Sequence, residues 1–220
     1  MIKCCIFDLD GTILDTIVSI TYFVNKTLNE YGIESVSVDE CKYFAGNGAR
    51  NLIKRALTSK GVTDEALTEK ILTDYVEAYD NDPLYLTTVF EGIDGLLSEL
   101  RLRGVKLAVL SNKPDSTVKS IVKDFFGDAF DVALGGREGV PLKPDPTAAL
   151  DILNMLGFTP EETAWVGDTS TDIETAKNLK AALSVGVLWG FRKRDELEGA
   201  GADIIASSAD EVLRGIMSLD

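Results

Sequence analysis

Ile2-Lys3-Cys4-Cys5-Ile6-Phe7-Asp8-Leu9-Asp10-Gly11-Thr12 is the stretch whose reading decides the architecture of this chain. Residues 2–7 form a nearly continuous apolar run that stops at Asp8, with Gly11 close behind. A strand with one wet face alternates apolar and polar residues; this run does not, so it reads as a short strand buried on both faces. The pattern recurs along the chain. Residues 105–110 end at Ser111-Asn112, residues 164–166 at Gly167-Asp168, and residues 184–188 at Trp189-Gly190. Helical periodicity fills the intervals: 93–103, with Ile93, Leu96, Leu97 and Leu100 on one face, then 146–156 and 172–179. Alternating strands and helices predict a parallel sheet with right-handed crossovers and helices on both faces, a doubly wound α/β core.

Residues 15–83 break the alternation. They carry amphipathic helical patterns at 18–31, 49–59 and 64–79 and no convincing strand. The expected organisation is therefore a core of residues 1–14 and 84–220 with an inserted all-helical cap at 15–83, which suits a length of 220 residues. An insert that leaves the core directly after the first strand is expected over the carboxyl ends of the strands, where open α/β sheets bind ligands. It reads as a lid.

Hydrophobic residues make up 45% and charged residues 26%, an ordinary globular composition. Lysine plus arginine total 22 against 36 aspartate plus glutamate, a net charge of -14 that argues against nucleic acid as a partner. The same field repels small anions, so a phosphate site needs a local lysine or metal to invert it. Cys4 and Cys5 are adjacent in a strand and point to opposite faces, so with Cys41 they do not form a disulfide framework. Asp8, Asp10 and Asp15 stand where a signal peptide needs apolar residues, and no run is long enough to span a membrane. The expectation is a cytoplasmic protein, monomeric or homodimeric, without a membrane partner.

Asp8 and Asp10 are two apart at a strand end, so their side chains share one side. Converged carboxylates repel, and they are relieved by a shared proton or a bound cation. A hard oxygen site with few carboxylates suits Mg2+. Gly11 lets the backbone approach a ligand, and Thr12 offers a hydroxyl. Ser111 can donate to a phosphoryl oxygen beside the backbone N–H of Asn112, although a serine there also fits a turn, since Pro114 starts a helix. Lys143 lies in Leu142-Lys143-Pro144-Asp145-Pro146, a stiff loop able to place an ammonium against a transferring phosphoryl group. Gly167-Asp168-Thr169-Ser170-Thr171-Asp172 puts Asp168 just beyond a strand and Asp172 in the first turn of the next helix, where it also suits the helix N-terminus.

Taken in order, Asp8-x-Asp10-Gly11-Thr12, Ser111, Lys143 and Gly167-Asp168-x-x-x-Asp172 resemble the four signature motifs of the haloacid-dehalogenase-like hydrolase superfamily. The resemblance spans the chain and implies a Rossmann-like core. It implies that Asp8 is a nucleophile attacking phosphorus, and that Asp10 protonates the leaving oxygen and then activates water. Ser111 and Lys143 would hold the phosphoryl oxygens. Asp8, the Asp10 carbonyl and Asp168 would bind magnesium, with Asp172 an auxiliary ligand. Gly46-Asn47-Gly48-Ala49-Arg50 resembles the cap loop of phosphoglycolate-phosphatase-like members, in which Gly46 and Arg50 would meet an anionic group. Residues 187–192 are similar to the same subfamily, although Trp189 and Phe191 also suit plain packing.

The resemblance therefore implies a magnesium-dependent phosphatase for a small phosphomonoester such as phosphoglycolate. A β-phosphoglucomutase-like transferase, a pyrophosphatase or a nucleotidase would share the same core residues. Asp10 with Gly11-Thr12 is the phosphatase form of the first motif, not that of a dehalogenase. A phospho-accepting receiver domain also gathers carboxylates and a lysine around magnesium, but it has no use for a long helical insert.

Overall fold

The structure, a computed structural model, describes residues 1–219. Its strands in chain order are β1 Cys4–Phe7, β2 Leu14–Asp15, β3 Thr88–Val89, β4 Lys106–Pro114, β5 Val132–Gly136, β6 Thr163–Gly167, β7 Leu183–Val187 and β8 Ile204–Ala206. Two compact units form: Met1–Asp15 with the chain from Val89 onward, and Thr16–Thr88.

The first unit is built on a six-stranded sheet of order β5-β4-β1-β6-β7-β8, in which each pairing is parallel. This is the doubly wound α/β sheet expected from the apolar runs. β1 lies at its centre with all four residues buried, and the period of two divides them between two layers. Cys4 and Ile6 join Ala108, Leu110 and Trp165 beneath the helices Thr147–Leu156 and Ser170–Leu179. Cys5 and Phe7 join the opposite layer, covered by Ile93–Leu102, Asp115–Phe126 and Ala209–Met217. Cys4 and Cys5 are unpaired and buried, as is Cys41, and burial pushes the Cys4 thiol up to about 12 and Cys41 to about 11. These thiols are inert packing groups.

The path of the chain through the sheet places the ligand end. From β1 it moves to β4 and β5 on one flank, then crosses to β6, β7 and β8 on the other, so the direction reverses at β1. Side by side, Phe7 faces Val109 of β4 and Val166 of β6. The carboxyl ends of these three strands therefore lie side by side, at the kind of edge that open α/β sheets use for ligands.

The second unit contains the helices Ile17–Glu30, Val38–Phe44, Ala49–Ser59 and Glu65–Asn81. Three were expected from apolar periodicity. The fourth, Val38–Phe44, is started by a capping box in which Ser37 and Glu40 satisfy each other's backbone N–H groups. Phe23 and Tyr79 pack edge to face inside this unit with ring centroids 5.3 Å apart. Among the described residues no helix is long and apolar enough to cross a membrane.

Candidate active site

Asp8, one residue past β1, is buried, and its backbone N–H still donates to the Val166 carbonyl at 2.9 Å, so the strand delivers its side chain in a fixed place. Lys143 Nζ lies 2.7 Å from Asp8 Oδ1 and 2.8 Å from Asp172 Oδ1, with only 3% of the lysine side chain exposed. The ring of Trp165 lies beneath the ammonium, 5.8 Å from its centroid. What holds this lysine is Asn112. The Lys143 N–H donates to Asn112 Oδ1 at 2.8 Å, and Asn112 Nδ2 donates back to the Lys143 carbonyl at 3.2 Å. The side chain of Asn112 thus clamps the Lys143 loop, ahead of the cis Lys143-Pro144 bond.

Asp168 is fully buried. Its Oδ2 accepts the Phe191 N–H at 2.6 Å, and Thr12 Oγ1 donates to its Oδ1 at 3.3 Å. Asp172, also buried, accepts the N–H and hydroxyl of Thr169 on Oδ2, at 3.1 and 2.8 Å, and Lys143 on Oδ1. It is at once the partner of the N-cap Thr169 in the capping box of the helix Ser170–Leu179 and the second anchor of Lys143. Ser111, buried in β4 where its pairing with β5 becomes irregular, accepts the Lys113 N–H on Oγ at 3.2 Å, which leaves its hydroxyl proton to donate elsewhere. Asp10 is partly buried, and its Oδ1 receives Lys113 Nζ at 2.6 Å.

The electrostatics follow from crowding. Asp8, Asp168 and Asp172 each offer an oxygen within 4.8 Å of the others. Burial, and then the neighbouring Asp172 charge, push Asp8 up to about 7, although Lys143 opposes the shift. The same two causes, joined by Asp8, drive Asp168 well above the usual carboxylate range. Burial works against the charge on Lys143, but Asp172 and Asp8 outweigh it and raise its affinity for the proton. Buried oxygens left short of positive charge are what a hard divalent cation satisfies, so the donor set fits magnesium.

Three glycines make room for these carboxylates. A Cβ at Gly11 would lie 2.3 Å from Asp168 Oδ2, and one at Gly167 2.3 Å from the Asp172 Cβ. At Gly190 it would meet the Gly11 carbonyl at 2.3 Å and Asp168 Oδ2 at 2.4 Å. Gly190, the Phe191 N–H, Lys113 and the Asn112 clamp are the site features that sequence reasoning missed. The turn after β7 carried a weak signal in Trp189-Gly190, and its indole Nε1 donates to the Thr12 carbonyl at 3.0 Å, which ties that turn to the Asp10-Gly11-Thr12 loop. In the second unit, Gly46 adopts φ 107° and Gly48 φ 82° ahead of the helix Ala49–Ser59. Arg50 is exposed and forks onto both carboxylate oxygens of Glu69. The loop is instead braced by Arg55, which donates to the Phe44 carbonyl at 3.0 Å and Asn47 Oδ1 at 2.9 Å.

The sequence profile of the haloacid dehalogenase-like hydrolases matches residues 5–185, a span that contains Asp8, Asp10, Ser111, Lys143, Asp168 and Asp172. The chain belongs to that family. It is 31% identical over 214 residues to phosphoglycolate phosphatase of Pseudomonas putida, covering 95% of this chain and 78% of that one. It is 35% identical over 191 residues to phosphoglycolate phosphatase of Aquifex aeolicus, covering 86% and 85%. Among solved structures, one from Lactobacillus delbrueckii subsp. bulgaricus, provisionally named a phosphoglycolate phosphatase, superposes with a TM-score of 0.93 at 31% identity, over 97% and 98% of the two chains. CbbY from Rhodobacter sphaeroides, solved with phosphate, gives a TM-score of 0.80 at 25% identity over 99% and 100%. Within its family the chain thus falls among phosphatases.

Two outcomes follow from this geometry. In the fold Asp8 binds its proton up to about pH 7 against an ordinary 3.8. A carboxyl whose affinity for the proton rises on folding contributes stability that is fully present below the ordinary value and lost as pH climbs through the shifted one. Metal-stripped protein should therefore melt at progressively lower temperature between about pH 4 and pH 7 through this group, and excess Mg2+ should flatten the trend in calorimetry. Gly190→Ala displaces the Asp168 carboxylate, and Mn2+ titration calorimetry should show affinity weakened about 10- to 100-fold, the usual cost of disturbing a ligand's support. Unchanged affinity would remove Asp168 from the metal site.

Proposed function

We propose that this chain hydrolyses a small phosphomonoester, phosphoglycolate or a close analogue, through a covalent phosphate on Asp8 and with Mg2+ as cofactor. The observation that carries the reading is the placement of Lys143 Nζ, 2.7 Å from Asp8 Oδ1 and anchored by Asp172, at the point where β1 ends. An ammonium fixed there offers a phosphoryl group a counter-charge in the position from which Asp8 can attack it. The names carried by the relatives support the substrate class. Asp8, Asp168 and the Asp10 carbonyl are the ligands we assign to the ion; bound there, Mg2+ neutralises charge that develops on the phosphoryl oxygens.

The remaining steps belong to side chains. Ser111 Oγ and Lys143 Nζ hold two phosphoryl oxygens. The free oxygen of Asp8 forms a bond to phosphorus as the bond to the ester oxygen breaks, and Asp10 gives that oxygen its proton. The product alcohol leaves. Asp10, now a carboxylate, takes a proton from water as the water oxygen bonds to phosphorus and the bond to Asp8 breaks. Inorganic phosphate departs and both aspartates return to their starting state. Placing Asp8 beside a buried cation divides one difficult displacement into two.

Asp8→Asn should lower turnover of p-nitrophenyl phosphate by at least about 10³-fold, since the covalent route is closed. Acid-quenched wild-type protein should carry a hydroxylamine-labile phosphate that this variant lacks. Full activity in Asp8→Asn would refute the mechanism. The substrate is tested separately, by ranking kcat/KM over phosphoglycolate, pyrophosphate, nucleotides and hexose phosphates. The expected leader is phosphoglycolate, and a leading hexose bisphosphate would mean a mutase.

A further inference from the structure

We infer that Lys113 is the positioning residue of the acid/base carboxylate, fixing Asp10 by its Oδ1 so that Oδ2 exchanges the proton in both chemical steps; this rests on the hydrolytic reading above. Lys113 Nζ lies 2.6 Å from Asp10 Oδ1, and the two side chains are only 12% and 17% exposed. Surface ion pairs of long side chains are loose, but one this withdrawn from water and this short is a directional, charge-assisted bond.

The backbone that carries Lys113 is held from several sides. The regular pairing of β4 with β5 is interrupted between Leu110 and Pro114. Inside that interruption the Lys113 N–H donates to Ser111 Oγ at 3.2 Å, and Asn112 is locked to the Lys143 backbone. Just beyond it, Asp115 Oδ1 accepts the Gly135 N–H at 2.9 Å. A Cβ at Gly135 would lie 2.5 Å from the Lys113 carbonyl, so a glycine in β5 lets the irregular turn settle against the sheet. One rigid turn therefore carries the phosphoryl donor Ser111, the clamp Asn112 and the lysine that grips Asp10.

The chemistry needs such a grip. Asp10 is two residues from Asp8, and like charges push the two carboxylates apart. A carboxylate that must reach first the leaving oxygen and then a water cannot be left to rotate, since errors of about 1 Å cost roughly 100-fold in rate. Lys113 holds Asp10 by Oδ1, which assigns the proton exchange to Oδ2 and phosphoryl binding to Ser111 and Lys143.

The test is rapid-quench kinetics of Lys113→Met and Lys113→Arg with p-nitrophenyl phosphate, whose leaving oxygen needs little protonation, and with phosphoglycolate, whose leaving oxygen does. With the first substrate, Lys113→Met should retain a burst of nitrophenol close to one per enzyme, then turn over about 100-fold more slowly than wild type. Hydroxylamine-labile phosphate on Asp8 should accumulate, because water activation by Asp10 has become the slow step. kcat/KM for this substrate should move less than threefold, so that KM falls together with kcat, and Lys113→Arg should recover part of kcat. Adding Lys113→Met to Asp10→Asn should cost nothing more. A lost burst would mean that the turn merely supports Ser111. A KM raised for phosphoglycolate alone would make Lys113 a substrate-carboxylate ligand. Either result overturns the inference while leaving the covalent reading intact. Absence of labile phosphate in wild type as well would overturn both.

Discussion

Three buried carboxylates, Asp8, Asp168 and Asp172, present oxygens within 4.8 Å of one another, and the buried ammonium of Lys143 is wedged against two of them. Unit charges about 4 Å apart repel by roughly 4 kcal/mol even at an effective dielectric of about 20. No fold assembles such a group without compensation, and the rest of the site is that compensation. Asp172 is satisfied by the Thr169 N–H and hydroxyl at a helix N-terminus, where negative charge is favoured. Asp168 is satisfied by Thr12 and the Phe191 N–H. Asp8 is held by Lys143, and its affinity for the proton rises to about 7, while that of Asp168 rises well above the usual carboxylate range. Two carboxylates at neighbouring strand ends, Asp8 and Asp168, are therefore left wanting positive charge, which a divalent cation bound between them would supply.

Backbone rather than side chains makes this crowding sterically feasible. Gly11 and Gly190 approach Asp168 from two separate turns, and the Gly190 α-carbon lies so near the Gly11 carbonyl that any side chain would collide with it. Gly167 does the same for Asp172. The Trp189 indole bonded to the Thr12 carbonyl then fastens the turn after β7 to the loop after β1. Residues nearly 180 positions apart in the chain thus hold one carboxylate between them. The parallel sheet is what brings these turns to the same edge.

The features legible in the sequence were those with a local periodic signature or a fixed spacing. β1, β4, β6 and β7 announced themselves as apolar runs because both faces of the sheet are covered. β5, with sequence Val-Ala-Leu-Gly-Gly, did not, since two of its five residues are the glycines that admit the end of β4. β8 is only three residues long, too short for any pattern. The helix Val38–Phe44 carried its signal in Ser37 and Glu40, a start motif rather than a periodicity. At the site, Asp8, Asp10, Ser111, Lys143 and Asp168 were readable because each stands at a strand end or in a stiff loop. Gly190 and Lys113 were not: the reason for a glycine is a contact made 179 residues away with Gly11, and Lys113 differs from a solvated lysine only in what it touches.

The charge of the whole chain then bears on what can reach this edge. A net charge of -14 repels anions at long range, but screening confines that field to about 8 Å at physiological salt. Inside that distance Lys143, Lys113 and a divalent ion held as proposed offset the charges of Asp8, Asp10, Asp168 and Asp172. A single phosphoryl group needs no more than this neutralised region. A long polyanion would leave most of its charge outside it, facing an acidic surface, and would gain one favourable contact at the cost of many unfavourable ones. On the proposed function, the acidic composition and the buried cations thus act together, favouring a single phosphoryl group over a chain of them.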